Sequence, residues 1–192
     1  MKNKQILVVD WDSTVIDTSK TIINLHNKLF ENKIEYIKDH DWKFKPMINS
    51  EEELKELFKL FDNEHFYDKG VIEPINNAIE SIKMLSETYK IVICSKHEVS
   101  RRKLTRKYIE ETFKNHDVSV KFVNSFNEKA NLFKNKDVKA VIDDKIECFE
   151  GFNDNCIKIL FGDYQWNRNC SGNFSKISDW VLIVKFLLNE NQ

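Results

Sequence analysis

The stretch Ile6-Leu7-Val8-Val9-Asp10-Trp11-Asp12-Ser13-Thr14 reads as a buried strand that ends in two carboxylates one residue apart, followed by a tight hydroxyl-bearing turn. Two like charges held this close resist ionising beside each other unless a cation or a positive side chain sits between them. A second acidic pair closes another apolar run, Val138-Lys139-Ala140-Val141-Ile142-Asp143-Asp144. Four carboxylates gathered at the ends of two strands suit phosphoryl transfer assisted by Mg2+, a hard cation that prefers oxygen ligands.

Outward from these runs, residues 6–9, 91–94, 120–123, 140–142 and 157–161 are apolar and strand-like, and helix-like stretches separate most of them. Such alternation predicts an α/β fold, a parallel sheet flanked by helices on both faces. Ligands in these sheets bind at the carboxyl ends of the strands. Asp10, Ser95, Ser125, Asp143 and Gly162 all fall at or just past such ends.

The interval between the first two strands is far longer than an ordinary crossover. Within it Ile22, Leu25, His26 and Leu29 share a helical face, and Ser50 with Glu53 forms a capping box ahead of Leu54, Leu57, Phe58 and Phe61. The expected organisation is a core made of residues 1–16 and 75–192, with a small helical cap at 17–74. Pro74 suits the first turn of the next helix, whose core face is Ile75, Ala78, Ile79, Ile82 and Leu85. Ser125 and Glu128 suggest a second capping box, which puts Lys129 in a first helical turn, where a cation needs an anionic neighbour. Residues 178–188 read as a closing helix with Trp180, Ile183, Val184 and Leu187 inward.

At 192 residues the chain can bury a sizeable core, and a formal net charge of -1 argues against a nucleic-acid or membrane partner. The basic stretch from Arg101-Arg102-Lys103 to Arg106-Lys107 is balanced by Glu110 and Glu111 and reads as a solvated helix face. Cys94, Cys148, Cys156 and Cys170 form no CxxC pair, and the five histidines sit in no metal-ligand spacing. No signal peptide or membrane-spanning run is evident, so a cytoplasmic protein with reduced thiols is expected.

With these pieces in view, the sequence resembles the haloacid dehalogenase (HAD) superfamily of phosphohydrolases. Asp10-Trp11-Asp12-Ser13-Thr14 resembles its first motif, DxDxT; Ser95 after Ile91-Val92-Ile93-Cys94 its second; Lys129 its third; Asp143-Asp144 its fourth. Within the superfamily the chain is similar to the 5'(3')-deoxyribonucleotidase branch and its bacterial 5'-nucleotidase relatives. Asp17, Asn63-Glu64-His65-Phe66-Tyr67 leading to Pro74 and Asn77-Ala78, Ile93-Cys94-Ser95, and Glu128-Lys129-Ala130 look like that branch's patterns. Ser13 stands where the branch has Gly, Asn77 replaces the Gly of its G-A pair, and Lys96 replaces a second hydroxyl.

The resemblance implies a Rossmann-like core and a Mg2+-dependent phosphomonoesterase, with a nucleoside monophosphate as the expected substrate. Asp10 is then the nucleophile and Asp12 the acid and base, which requires the Asp12 carboxyl to be shifted upward. Lys129 offsets charge, Ser95, Lys96 and Thr14 contact the phosphate, and Mg2+ takes Asp10, the Asp12 carbonyl, and Asp143 or Asp144. Phe66 first, then Tyr67, Trp42 and Phe44, are candidates to stack on a base, although 14 Phe in the chain mean that most aromatics are core. Asp17 reads as a helix cap, and Trp166 and Arg168 as residues near the cleft. The alternatives are a phosphatase for another small phosphate or a 3'-phosphate end, and a non-catalytic nucleotide-binding protein. Homodimerisation is left open.

Overall fold

The computed structural model describes residues 4–41 and 43–189, so Trp42 lies outside the described residues. Six parallel strands form one sheet in the order β3-β2-β1-β4-β5-β6: β1 (Ile6–Val9), β2 (Lys90–Lys96), β3 (Val118–Val123), β4 (Val138–Asp143), β5 (Ile157–Phe161) and β6 (Ser175–Ile177). Five were anticipated; β6 is only three residues long and has no apolar run to announce it. Side chains on a strand alternate between faces. Leu7, Val9, Ile91, Ile93 and Ile142 therefore join one core while Val8, Val92, Cys94 and Val141 join the other. Both faces are covered, which is why the central strands are mostly apolar before their ends.

The connecting helices are α1 (Thr18–Leu29), α2 (Glu51–Lys59), α3 (Ala78–Thr88), α4 (Val99–Thr112), α5 (Glu128–Leu132) and α6 (Trp180–Asn189). Asp17 caps α1 by accepting the Lys20 N–H at 2.9 Å, and Ser50 caps α2 by accepting the Glu53 N–H at 3.1 Å. The segment between β1 and β2 holds α1, α2 and two 3-10 turns, Leu60–Asp62 and Glu64–Tyr67. Its buried Ile22, Leu25, Leu57 and Phe66 belong to the same hydrophobic cluster as β1 and β2.

Pro74 does not open a helix. It bridges to Ile16, Ile75 N–H bonds to Val15 O at 2.9 Å, and α3 begins only after Asn77, which is left-handed with φ 61°. Ser13 is left-handed too, with φ 57°. Left-handed backbone is the region that glycine enters freely and that other L-residues occupy at a cost of roughly 1–2 kcal/mol. The two positions where Ser13 and Asn77 stand in for glycine are thus places where the backbone demands a glycine-like conformation. Among the described residues no helix is long and apolar enough to cross a membrane.

Candidate active site

The strand order reverses at β1, which lies between β2 and β4, and the site sits at the carboxyl ends of these three strands. Asp10 follows β1 directly, its N–H bonded to Ile142 O at 2.9 Å, and Asp143 closes β4. Lys129 Nζ donates to Asp10 Oδ1 and to Asp143 Oδ2, both at 2.6 Å, with all three side chains buried. The cation placed against a helix dipole thus has two anionic partners. The capping box expected beside it is shifted: Glu128 accepts the Asn124 N–H at 2.8 Å, and Asn127 precedes the short α5.

Asp144 completes this group. Trp166 Nε1 donates to its Oδ2 at 2.9 Å, and Asn167 Nδ2 holds its carbonyl at 3.0 Å. Asp10, Asp143 and Asp144 place carboxylate oxygens within 4.8 Å of one another. Burial, then Asp143 and Asp12, push the Asp10 carboxyl up to about 7 against the pull of Lys129. Burial, then Asp143 and Asp10, push Asp144 well above the carboxylate range. Burial alone would lower the Lys129 ammonium, but Asp10 and Asp143 carry it well above its ordinary value. Lys129 bonds two of the three buried carboxylates and Lys145 acts on the third, so three carboxylates face two ammonium groups. An all-oxygen donor set with that imbalance fits a hard divalent cation.

Asp12 lives in a different environment. Its Oδ1 accepts from Arg101 at 2.8 Å and from the Thr18 hydroxyl at 2.8 Å, while its Oδ2 meets His97 Nε2 at 2.5 Å and Ser95 Oγ at 3.3 Å. Burial pushes this carboxyl upward, but Arg101, His97 and Thr18 together outweigh it and hold Asp12 well below the carboxylate range. The upward shift anticipated for Asp12 is therefore not the resting condition of this site; two partners that the residue pattern did not reveal reverse it.

Arg101 corrects the reading of its basic stretch as a solvated face, because it is buried against Asp12 and the rings of Phe61 and Phe66. The signal that located Lys129 was present here also: Arg101 is the third residue of α4, a cation in a first helical turn. His97 carried only the weaker cue of standing two residues past Ser95.

These groups open into a cleft of about 510 Å³, within the range of small-ligand sites. Asp10, Asp12, Ser95, Lys96, Asp143 and Asp144 line it, together with Phe44, Phe58 and Phe61 from the insertion and Phe126 opposite. Lys96 and Lys145 each lie over the Phe126 ring, at 4.8 and 4.5 Å. Phe66, Tyr67 and Thr14 are not brought to the cleft lining. Phe66 is fully buried beneath Arg101, Tyr67 bonds the Thr105 hydroxyl at 2.7 Å, and Thr14 is buried with its carbonyl accepting from Trp180 Nε1 at 2.9 Å. Arg168 pairs with Asp39 and Asp163 at the exposed surface.

The family model described as 5' nucleotidase, deoxy (pyrimidine), cytosolic type C matches residues 4–190. Among solved structures, a haloacid dehalogenase-like hydrolase from Xanthomonas campestris is 10% identical with a TM-score of 0.56, covering 100% of both chains. A Clostridium acetobutylicum protein assigned as a phosphatase is 15% identical with a TM-score of 0.57, over 98% of this chain and 100% of that one. A Bacillus subtilis protein assigned as a HAD-hydrolase and bound to magnesium is 14% identical with a TM-score of 0.54, over 97% and 99%. At these identities the likeness is one of fold. No curated protein sequence matches.

Proposed function

The chain belongs to the cytosolic type C deoxy (pyrimidine) 5'-nucleotidase family and is a phosphoric monoester hydrolase; from that premise we propose that it hydrolyses nucleoside or deoxynucleoside 5'-monophosphates with Mg2+. The observation that carries this reading is the Asp10 carboxylate, buried and held by Lys129 at the floor of a cleft whose outer wall is aromatic.

Asp10, Asp143 and Asp144 would hold Mg2+, which when bound supplies positive charge against the carboxylates and the phosphate oxygens. An Asp10 oxygen bonds to phosphorus while the bond from phosphorus to the leaving oxygen breaks, and a proton on Asp12 passes to that oxygen. Water then attacks phosphorus and gives its proton to Asp12, and the Asp10–phosphorus bond breaks to release phosphate. The donors around Asp12 match the second step, in which it must be an anion that accepts a proton. A phosphate dianion arriving beside it opposes Arg101 and His97 and favours the protonated form that the first step needs.

Lys129 keeps Asp10 in place and offsets its charge, and Ser95 and Lys96 face the phosphate from the end of β2. Residues 17–74 act as a cap whose Phe44, Phe58 and Phe61 stack on the base, an interaction worth about 1–3 kcal/mol per base. We place the activity in the cytoplasm, in keeping with four free thiols and the cytosolic character of the family.

The test is phosphate release from nucleoside monophosphates, sugar phosphates and a 3'-phosphorylated oligonucleotide, with Mg2+ and with chelator. Release confined to 5'-nucleotides, dependent on Mg2+ and reduced on the order of 10⁴-fold or more in Asp10→Asn, is the expected result. Turnover that survives Asp10→Asn would sink the covalent mechanism, and release confined to sugar phosphates would sink the nucleotide assignment.

A further inference from the structure

Arg101 and His97 have no part in the bond-making above, yet both are buried, at 8% and 4% exposure, and both direct polar atoms at Asp12. Each is itself held. The Arg101 guanidinium lies against the neighbouring rings of Phe61 and Phe66, 4.8 and 4.7 Å from their centroids. His97 presents its second nitrogen, Nδ1, to Thr105 Oγ1 at 3.1 Å, and that hydroxyl also meets Tyr67 OH at 2.7 Å. Phe61, Phe66 and Tyr67 all come from the segment inserted between β1 and β2, whereas Asp12, His97 and Thr105 come from the sheet end and α4.

A stabilising role explains this arrangement poorly. Desolvating a guanidinium and a carboxylate offsets most of what their attraction returns, so a buried ion pair is weak support for a fold. Geometry explains it better. A proton passes only between heavy atoms within about 2.6–3.2 Å, and an error of about 1 Å in placing a reacting group can cost about 100-fold. Asp12 lies past the end of β1, beyond the strand's ladder, and its side chain remains 21% exposed. Its side chain is fixed by lateral contacts, those of Arg101 and His97 together with the Thr18 and Ser95 hydroxyls.

We propose that Arg101 and His97 are positioning residues that hold the Asp12 carboxyl at one place beside Asp10, and that the inserted segment sets this place through Phe61, Phe66 and Tyr67. The proposal rests on the reading of Asp12 as the proton-transferring group given above. The insertion then does more than wall the cleft, since its packing reaches the group that serves the leaving oxygen.

The leaving group provides the test. kcat/KM is measured for a series of phosphate monoesters running from 4-nitrophenyl phosphate, whose phenolate departs without a proton, to a deoxynucleoside 5'-monophosphate, whose alkoxide cannot. Asp12→Asn, Arg101→Met, Arg101→Lys and His97→Gln are compared with the native enzyme, each after its unfolding transition has been recorded. Asp12→Asn, Arg101→Met and His97→Gln should each lose at least about tenfold more activity on the alkyl ester than on 4-nitrophenyl phosphate. Arg101→Lys, which keeps charge and length, should recover part of the alkyl activity.

A merely structural role lowers both ends of the series equally, and that result in folded Arg101→Met and His97→Gln overturns the proposal, as does no loss at all. If Arg101→Met does not fold, the outcome for His97→Gln decides by itself. Should Asp12→Asn itself treat both esters alike, the reading of Asp12 fails and the clamp with it. Should Asp12→Asn discriminate while the clamp variants do not, only the present proposal fails.

Discussion

Asp10 and Asp12 are two residues apart on one strand end, yet the chain surrounds them in opposite ways. Around Asp10 three buried carboxylates gather, Lys129 bonding two of them, and burial first, then the neighbouring carboxylates, raise the Asp10 carboxyl to about 7 and Asp144 well above its ordinary range. Around Asp12, an arginine, a histidine and a threonine hydroxyl converge on a single carboxylate and hold it down. The first half is short of positive charge and is suited to receive a cation. The second is already saturated with donors and has no such need. A pair of like carboxylates thus acquires two different settings from its neighbours, one that a cation would complete and one that hydrogen-bond donors already complete.

The contrast is open to direct attack. The largest effect is expected for Lys129→Met, which removes the cation bonded to Asp10 and Asp143. Leaving Asp10 and Asp143 buried without it should lower stability by about 3–5 kcal/mol in chelator, read from urea unfolding. Saturating Mg2+ should then return about 2–3 kcal/mol, the amount linkage assigns near 100 times the dissociation constant. A Lys129→Met protein that ignores Mg2+ would show that this half does not lack positive charge.

A smaller loss is expected on the other side. Thr18→Val deletes one donor from Asp12 and should reduce stability by about 1.5 kcal/mol, the lower end for a hydrogen bond to a charged group, since Arg101 and His97 persist. Mg2+ should not repair it beyond what the native protein also gains. Equal rescue of the two variants would erase the distinction drawn between the halves. The smallest change is Ser13→Gly, in the turn after Asp12, which should stabilise by about 1 kcal/mol by relieving a left-handed serine. A loss of stability there would show that the Ser13 side chain contributes something the turn's conformation does not explain.

The two halves also differed in legibility. Asp10, Ser95, Lys129 and Asp143-Asp144 could be read from the chain because each ends a strand or opens a helix, and such local patterns mark the catalytic edge of a parallel sheet. The structure gathers them around one cleft, with Lys129 bonded to two of its acidic residues. His97 escaped because standing two residues past a strand end is a weak cue, and the first-turn cue at Arg101 was outweighed because a run of basic residues is usually solvated. The aromatic wall was legible only in part, since Phe44 lines the cleft as expected but Phe58 and Phe61 stand where Phe66 and Tyr67 were anticipated. Phe66 and Phe61 are five residues apart, yet one is sealed beneath Arg101 and the other lines the cleft.

Sequence by itself determined the α/β class, the parallel strands, the long insertion after the first of them and the acidic strand ends, because these depend on periodicity and on punctuation within a few residues. Tertiary structure alone decided which cations stand beside which carboxylate, which aromatics face the cleft and how the insertion reaches Asp12. Those outcomes depend on contacts between residues 14 to 119 positions apart. Charge interactions are set by distance in space, and that distance exists only once the sheet and its insertion have closed around the site.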